Sequence, residues 1–334
     1  MAAPGAIDVH AHFFPEAFLA LVAEAGAPAG ASVDRSNPEG PVLAVPGART
    51  PPLDVRYWDL ARRARSMDRQ GVAVHALSLT VPMVYWADGE LGSRLARAFN
   101  DATAEAHTAY PDRFVGCATL PMQDPVRAVE ELERAARLPG VRAVYLGTNV
   151  NGRDLSAPEL FPVFDRAQAL RLPVLLHPIG VIGAERLRAY YLNNLLGNPF
   201  DTAVAAAHLV FGGVLDRLPR LTVGLPHAGG ALPYLWGRLR HGQRVRPEAQ
   251  KRARRPVPAY LRRFTYDTIS HDPRALRYLI DTVGADRVML GSDFCFDMGY
   301  VRPRDIVVAR TVGLSRRDQE RVLRTNAARL LRLD

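Results

Sequence analysis

The sequence predicts an α/β fold, a (β/α)8 barrel of the TIM type, and three observations carry that reading. Eight short apolar, β-branched runs alternate with stretches of helical periodicity. Four of these runs end in a histidine or aspartate, the residue types that barrel enzymes place at the C-terminal rim of their strands. The chain has 334 residues, 48% of them hydrophobic, and α/β barrels of this length commonly form one domain.

The strands are expected at 7–10, 73–79, 114–119, 143–146, 174–177, 222–225, 264–268 and 287–290. Helices are expected at 60–70, 91–110, 126–138 and 157–172, where Ala, Leu and Phe recur at helical spacing. One region breaks the alternation. Residues 13–59 are rich in Pro and Gly and hold two weak apolar runs, near Val33 and at 42–45. They read as an insertion after the first strand, a small hairpin flap over the barrel mouth. An open doubly wound sheet is the alternative, but no GxGxxG follows any strand. With no internal repeat or low-complexity segment, residues 1–334 read as a single domain.

The formal charge of +9 comes almost wholly from arginine, Lys251 being the only lysine. The densest run, Lys251-Arg-Ala-Arg-Arg255, reads as a solvated loop. No aromatic stacking pattern or recognition motif accompanies it, so nucleic acid is not an expected partner. The positive field instead suits a small anionic substrate. The two cysteines, Cys117 and Cys295, form no CxxC pair and suggest neither a disulfide framework nor a thiolate metal site. Met1-Ala-Ala-Pro-Gly5 lacks the basic and apolar regions of a signal peptide. No apolar run approaches the roughly 20 residues of a membrane span. A cytoplasmic protein with no membrane partner is expected.

His10-Ala11-His12 closes the first strand. Residues i and i+2 of a strand share a face, so both imidazoles point into the barrel. His177 ends the fifth strand, His227 the sixth and Asp293 the eighth. Burying such groups in an apolar barrel is costly unless they bind something. Three imidazoles and a carboxylate drawn from this set suit zinc or a similar first-row divalent ion, with a coordination position left open. Of the other histidines, His75, His107 and His208 read as structural. His241 and His271 both follow barrel strands near the mouth and stay open.

With these residues in hand, the chain resembles the amidohydrolase superfamily. Within it, the chain is similar to the aminocarboxymuconate-semialdehyde decarboxylase family and its aromatic-acid decarboxylase relatives. The resemblance rests on Ile7-Asp-Val-His-Ala-His12, Arg113-Phe-Val-Gly-Cys-Ala-Thr-Leu-Pro-Met122, Leu160-Phe-Pro-Val-Phe164 and Leu176-His-Pro178. It continues through Phe211-Gly-Gly-Val-Leu-Asp-Arg-Leu-Pro219, Pro226-His-Ala-Gly-Gly-Ala-Leu-Pro233 and Gly291-Ser-Asp293. It implies that His10, His12, His177 and Asp293 are metal ligands. It also implies that His227 is a catalytic histidine beside the metal, with Asp293 sharing that role.

Arg238 matches an arginine that, in the family, reaches into the neighbouring subunit to hold a substrate carboxylate, so a homodimer is expected. A second substrate arginine lies in the family's insertion; Arg49 is the better match and Arg56 the alternative. Asn194, Phe296 and Trp86 are the other expected substrate contacts. Two-metal barrels of this superfamily often bridge their ions with a carboxylated lysine. No expected strand carries a lysine, which favours one metal, zinc first and manganese second. The family's tryptophans after the fifth strand are replaced by Ile179 and Asn194, so the pocket wall differs.

The function that follows is a metal-dependent, non-oxidative decarboxylase of an unsaturated or aromatic carboxylic acid. The alternative is a metal-dependent hydrolase or hydratase of the lactonase type in aromatic catabolism. A non-catalytic binding protein is the third reading, and the intact ligands together with His227 argue against it. Release of carbon dioxide without added water separates the first two.

Overall fold

The structure is a computed structural model and describes residues 5–333, so most of the stretch Met1-Ala-Ala-Pro-Gly5, expected to carry no signal peptide, lies outside the described residues. Eight strands form one sheet: β1 (Ala6–His12), β2 (Val72–Ser78), β3 (Phe114–Ala118), β4 (Val141–Gly147), β5 (Val174–His177), β6 (Val223–Leu225), β7 (Phe264–Asp267) and β8 (Val288–Met289). They pair in sequence order and all are parallel. Val9 N–H donates to Leu290 O at 3.0 Å and Asp293 N–H to His10 O at 2.9 Å, which joins the last strand to the first and closes the barrel. Every residue of β1 and β3 is buried. This is why their apolar runs are continuous rather than alternating: a parallel strand is covered on both faces.

The crossovers supply the outer helices: α1 (Glu16–Ala25), α2 (Leu60–Gln70), α3 (Gly89–Ala109), α4 (Pro125–Ala135), α5 (Phe161–Ala169), α6 (Asn198–Phe211), α7 (Leu232–Val245) and α8 (Pro273–Val283). Aspartates start several of them. Asp59, Asp88 and Asp124 accept the N–H groups of Arg62, Leu91 and Arg127, while Asp272 caps α8. Each satisfies donors the first helical turn would otherwise leave unpaired.

The insertion is more than a hairpin flap. The apolar runs at Ser32–Asp34 and Val42–Val45 do pair as antiparallel strands, but Ala48–Arg49 adds a third. Helix α1 precedes them and buries Phe18, Leu19 and Val22 in the main core, where Leu43 and Val45 also sit. Those side chains anchor the insertion to the barrel wall.

A second irregular stretch follows β5. It contains a 3-10 turn at Ala184–Arg186 and a π-helical turn at Asn193–Gly197 that runs into α6. No helix among the described residues is long and apolar enough to cross a membrane.

Candidate metal centre

The strand ends bring His10, His12, His177, His227 and Asp293 together at the C-terminal rim. One ligand atom from each of His10, His177, His227 and Asp293 lies within 4.8 Å of all the others. His12 adjoins this group: its Nε2 is 3.1 Å from His10 Nε2 and 2.9 Å from Asp293 Oδ1. All four sequence-expected ligands and His227 therefore meet at one place.

The surroundings fix each ring. Ser78 on β2 contacts His12 Nδ1 at 3.1 Å, and Thr80 contacts the His177 ring at 3.3 Å. Burial pushes the pKa of His12 down to about 4, and burial together with its neighbouring histidines holds His177 well below the usual range. Both rings thus offer neutral lone pairs. Burial would raise the pKa of Asp293, but the hydrogen bond with His12 and the other histidines around it outweigh burial and keep the carboxyl ionised. Neutral imidazoles converging on a buried carboxylate are the donor set of a divalent ion, so the residues fit a metal.

Three structural residues escaped the sequence reading. Asp267 ends β7, and its Oδ2 lies 2.8 Å from His10 Nδ1, a carboxylate–histidine pair that fixes the ring's tautomer. Burial opposes a charge on His10, but Asp267 and Asp293 pull its pKa upward. Asp267 also accepts the N–H groups of His227 (3.0 Å) and Ala228 (2.8 Å). Both residues have positive φ, 52° and 56°, so this one carboxylate holds the unusual turn that presents the His227 ring.

Asp8 latches the two ends of the barrel, accepting from His10 N–H and from both the N–H and the hydroxyl of Ser292. Burial pushes its pKa up to about 6. Arg63 on α2 is fully buried and donates to His12 O at 2.6 Å and to His75 Nδ1 at 3.1 Å. Burial keeps His75 neutral, as that acceptor role requires. The strand-end rule that found the histidines also points to Asp267. Nothing local in the sequence marks Arg63.

A cavity of about 570 Å³ opens beside this cluster. His227 and Asp293 form part of its floor; Asn194, Tyr234, His271 and Tyr278 line its walls, and no Arg or Lys of this chain does. Asn194 is thus where the sequence reading puts it. Phe296 stands edge-on to His12, ring centroids 5.4 Å apart. Neither Phe296 nor the other expected contacts line the cavity. Trp86 donates to Met83 O and packs on the core. Arg49 is exposed on the small sheet, and Arg56 pairs with Asp54. Arg238 is exposed on α7 and faces a separate shallow groove shared with His241. Of the two histidines left open, His271 is therefore at the cavity and His241 is not. The structural histidines behave as expected: His107 is bonded to Phe114 O, and His208 to Ser156.

The sequence profile of the family described as amidohydrolase matches residues 7–333. The chain belongs to the amidohydrolase family. Within that family its relatives are decarboxylases. It is 33% identical, over 98% of its length and 92% of the relative's, to a 2-amino-3-carboxymuconate-6-semialdehyde decarboxylase of Dictyostelium discoideum. It is 34% identical to a gamma-resorcylate decarboxylase of a Polaromonas species, over 76% of this chain and 82% of that one.

Among solved amidohydrolase structures, the 5-carboxyvanillate decarboxylase of Sphingomonas paucimobilis superposes with a TM-score of 0.85 at 27% identity, covering 99% of both chains. A dihydroxybenzoic acid decarboxylase of Polaromonas, with bound manganese and the inhibitor 2-nitroresorcinol, superposes at 0.79 with 28% identity, covering 99% of this chain and 98% of that one. This amidohydrolase is thus a metal-dependent carboxy-lyase of the decarboxylase branch.

Proposed function

We propose that the chain removes carbon dioxide from an aromatic carboxylic acid bound in the 570 Å³ cavity, using one divalent ion held by His10, His12, His177 and Asp293. The observation that carries this reading is the meeting of those donors with His227 in one strand-end cluster that borders the cavity through His227 and Asp293, in a chain matched along its length by decarboxylases. The cavity walls are largely apolar, with Tyr234, Tyr278 and Leu279 suited to an aromatic ring. Because no cation of this chain lines the cavity, a monocarboxylate bearing a neighbouring hydroxyl fits the single chain better than a dicarboxylate does.

A divalent ion supplies positive charge that draws electron density from a substrate oxygen. The bond from ring carbon to carboxylate carbon breaks, the electron pair stays on the ring carbon, and carbon dioxide leaves. A proton must then reach that carbon. His227 delivers it, its Nε2 standing 3.8 Å from the ionised Asp293 Oδ2, and takes a proton back from solvent before the next turnover. Asp267 keeps the His227 ring aimed by holding its backbone.

Zinc suits the imidazole-rich donor set, and manganese is the ion of the Polaromonas relative. We further read the whole chain, 1–334, as one domain, cytoplasmic and acting as a homodimer, with Arg238 lent to the neighbouring cavity. The exposed position of Arg238 on α7 supports that last point, and the two free cysteines suit a reducing compartment. The test is to screen metal-loaded protein against hydroxybenzoates, aminobenzoates and muconate-type acids for carbon dioxide release. Release from a hydroxybenzoate is expected; hydrolysis of lactones with no carbon dioxide from any acid would replace this reading with the hydrolase.

A further inference from the structure

The opposite mouth of the barrel, where the strands begin, holds a second cavity of about 510 Å³. Its rim gathers five arginines: Arg171, Arg220, Arg287, Arg329 and Arg332. Asp286 is the one acid of the lining, and it is already paired with Arg262 at 2.9 Å and with Arg287 at 3.3 Å. Arg332 gives one N–H to Arg171 O. Among the described residues, no acid pairs with Arg171, Arg220, Arg329 or Arg332. Like charges crowded this way repel one another unless an anion sits between them.

A second observation is independent of the charge. Thr265 on β7 lines the same cavity and is only 8% exposed, yet its hydroxyl has no hydrogen-bond partner. Buried polar groups are rarely left unpaired. Gly224 on the adjacent strand carries no side chain to cover that hydroxyl; a Cβ there would stand 3.2 Å from it.

We propose that this N-terminal mouth is a binding site for a small multivalent oxyanion, a phosphate ester or a polycarboxylate. The guanidinium groups hold its charge and the Thr265 hydroxyl donates to its innermost oxygen. Planar guanidinium forks match the paired oxygens of phosphate and carboxylate. The face opposite the chemistry of a barrel ordinarily serves stability. Here it would serve recognition as well, without touching the metal centre.

The experiment titrates full-length, metal-loaded protein by calorimetry, with pyrophosphate and citrate as separate probes and chloride at matched ionic strength as control. Saturable binding of one ion per chain is expected. The tighter probe assigns the class, phosphate or polycarboxylate. The double variant Arg220→Ser, Arg329→Ser should weaken that binding by about tenfold or more. Thr265→Val should weaken it while leaving the unliganded melting temperature within a few degrees of the parent. Carbon dioxide release should be the same in all of these proteins. Heats that fail to saturate, or affinity in both variants unchanged from the parent, would overturn the site and leave only general attraction to a basic surface.

Discussion

At the scale of single residues, the metal centre depends on carboxylates that touch no substrate. Asp267 orients His10 through Nδ1 and holds the turn bearing His227. Asp267→Asn keeps the shape but loses the charge, and partners of this kind are worth about 10–100-fold in metal affinity or activity. Metal retained after dialysis against graded chelator should fall by that order; unchanged retention would reduce Asp267 to a backbone clamp. His12 and His227 present a sharper choice, because both rings lie close enough to serve as ligands. His12→Ala is expected to lose metal. His227→Ala is expected to keep it and to lose about 10²–10⁴-fold in kcat, read by elemental analysis beside steady-state kinetics. The reverse pattern would exchange their roles.

The His-Ala-His pair was legible because strand periodicity fixes where both rings point. Asp267 was harder to see because its partner lies 257 positions away. Arg63 was invisible because α2 is crowded with arginines that read as solvent-facing, and only the packing shows that this one is buried. Arg49 and Trp86, chosen as substrate contacts, do not line the cavity: resemblance transfers Arg49 poorly because the insertion builds its own sheet, and Trp86, outside the insertion, turns its N–H to Met83 O.

At the scale of elements, each expected strand has a counterpart, displaced at its ends by a few residues. The first runs on two residues past His10 to His12, so both ligands lie within it, as the shared-face reading of His10 and His12 requires. The eighth shortens to Val288–Met289, because the chain turns at once to place Asp293. The helix expected at 157–172 divides into a 3-10 turn, Pro158–Leu160, and α5, since Pro162 favours a fresh helical start.

The stretch between β5 and α6 could not be read, for it has neither helical nor strand periodicity, and it carries Asn194 to the cavity. Asp201 tethers it, accepting from Thr148, Asn149 and Ile182 N–H. Asp201→Ala removes those bonds, each worth about 1 kcal/mol, at a site remote from the metal ligands in sequence. KM should rise several-fold with kcat and metal content little changed. A lowered melting temperature with unaltered KM would make the tether purely structural.

At the scale of the whole molecule, the cavity of one chain lacks a cation for the substrate, while Arg238 projects from α7 into solvent. The proposed twofold assembly would reconcile the two, each subunit lending the same arginine to the other. Mixing Arg238→Ala with His227→Ala under subunit exchange yields dimers with one site carrying both defects and one carrying neither. Activity should return in part; no recovery despite proven exchange, or full activity from a monomer in sedimentation, would confine Arg238 to its own chain.

The central claim, that the cluster cleaves a carbon–carbon bond and returns a proton to carbon, is tested most directly by isotopes. The metal-loaded enzyme is run on its best hydroxybenzoate in D2O and, separately, in 18O-labelled water, and the organic product is weighed by mass spectrometry. The account predicts one deuteron on the carbon that bore the carboxylate and no 18O in the organic product. A product that takes up 18O and keeps its carboxylate carbon would contradict it and make the enzyme a hydrolase.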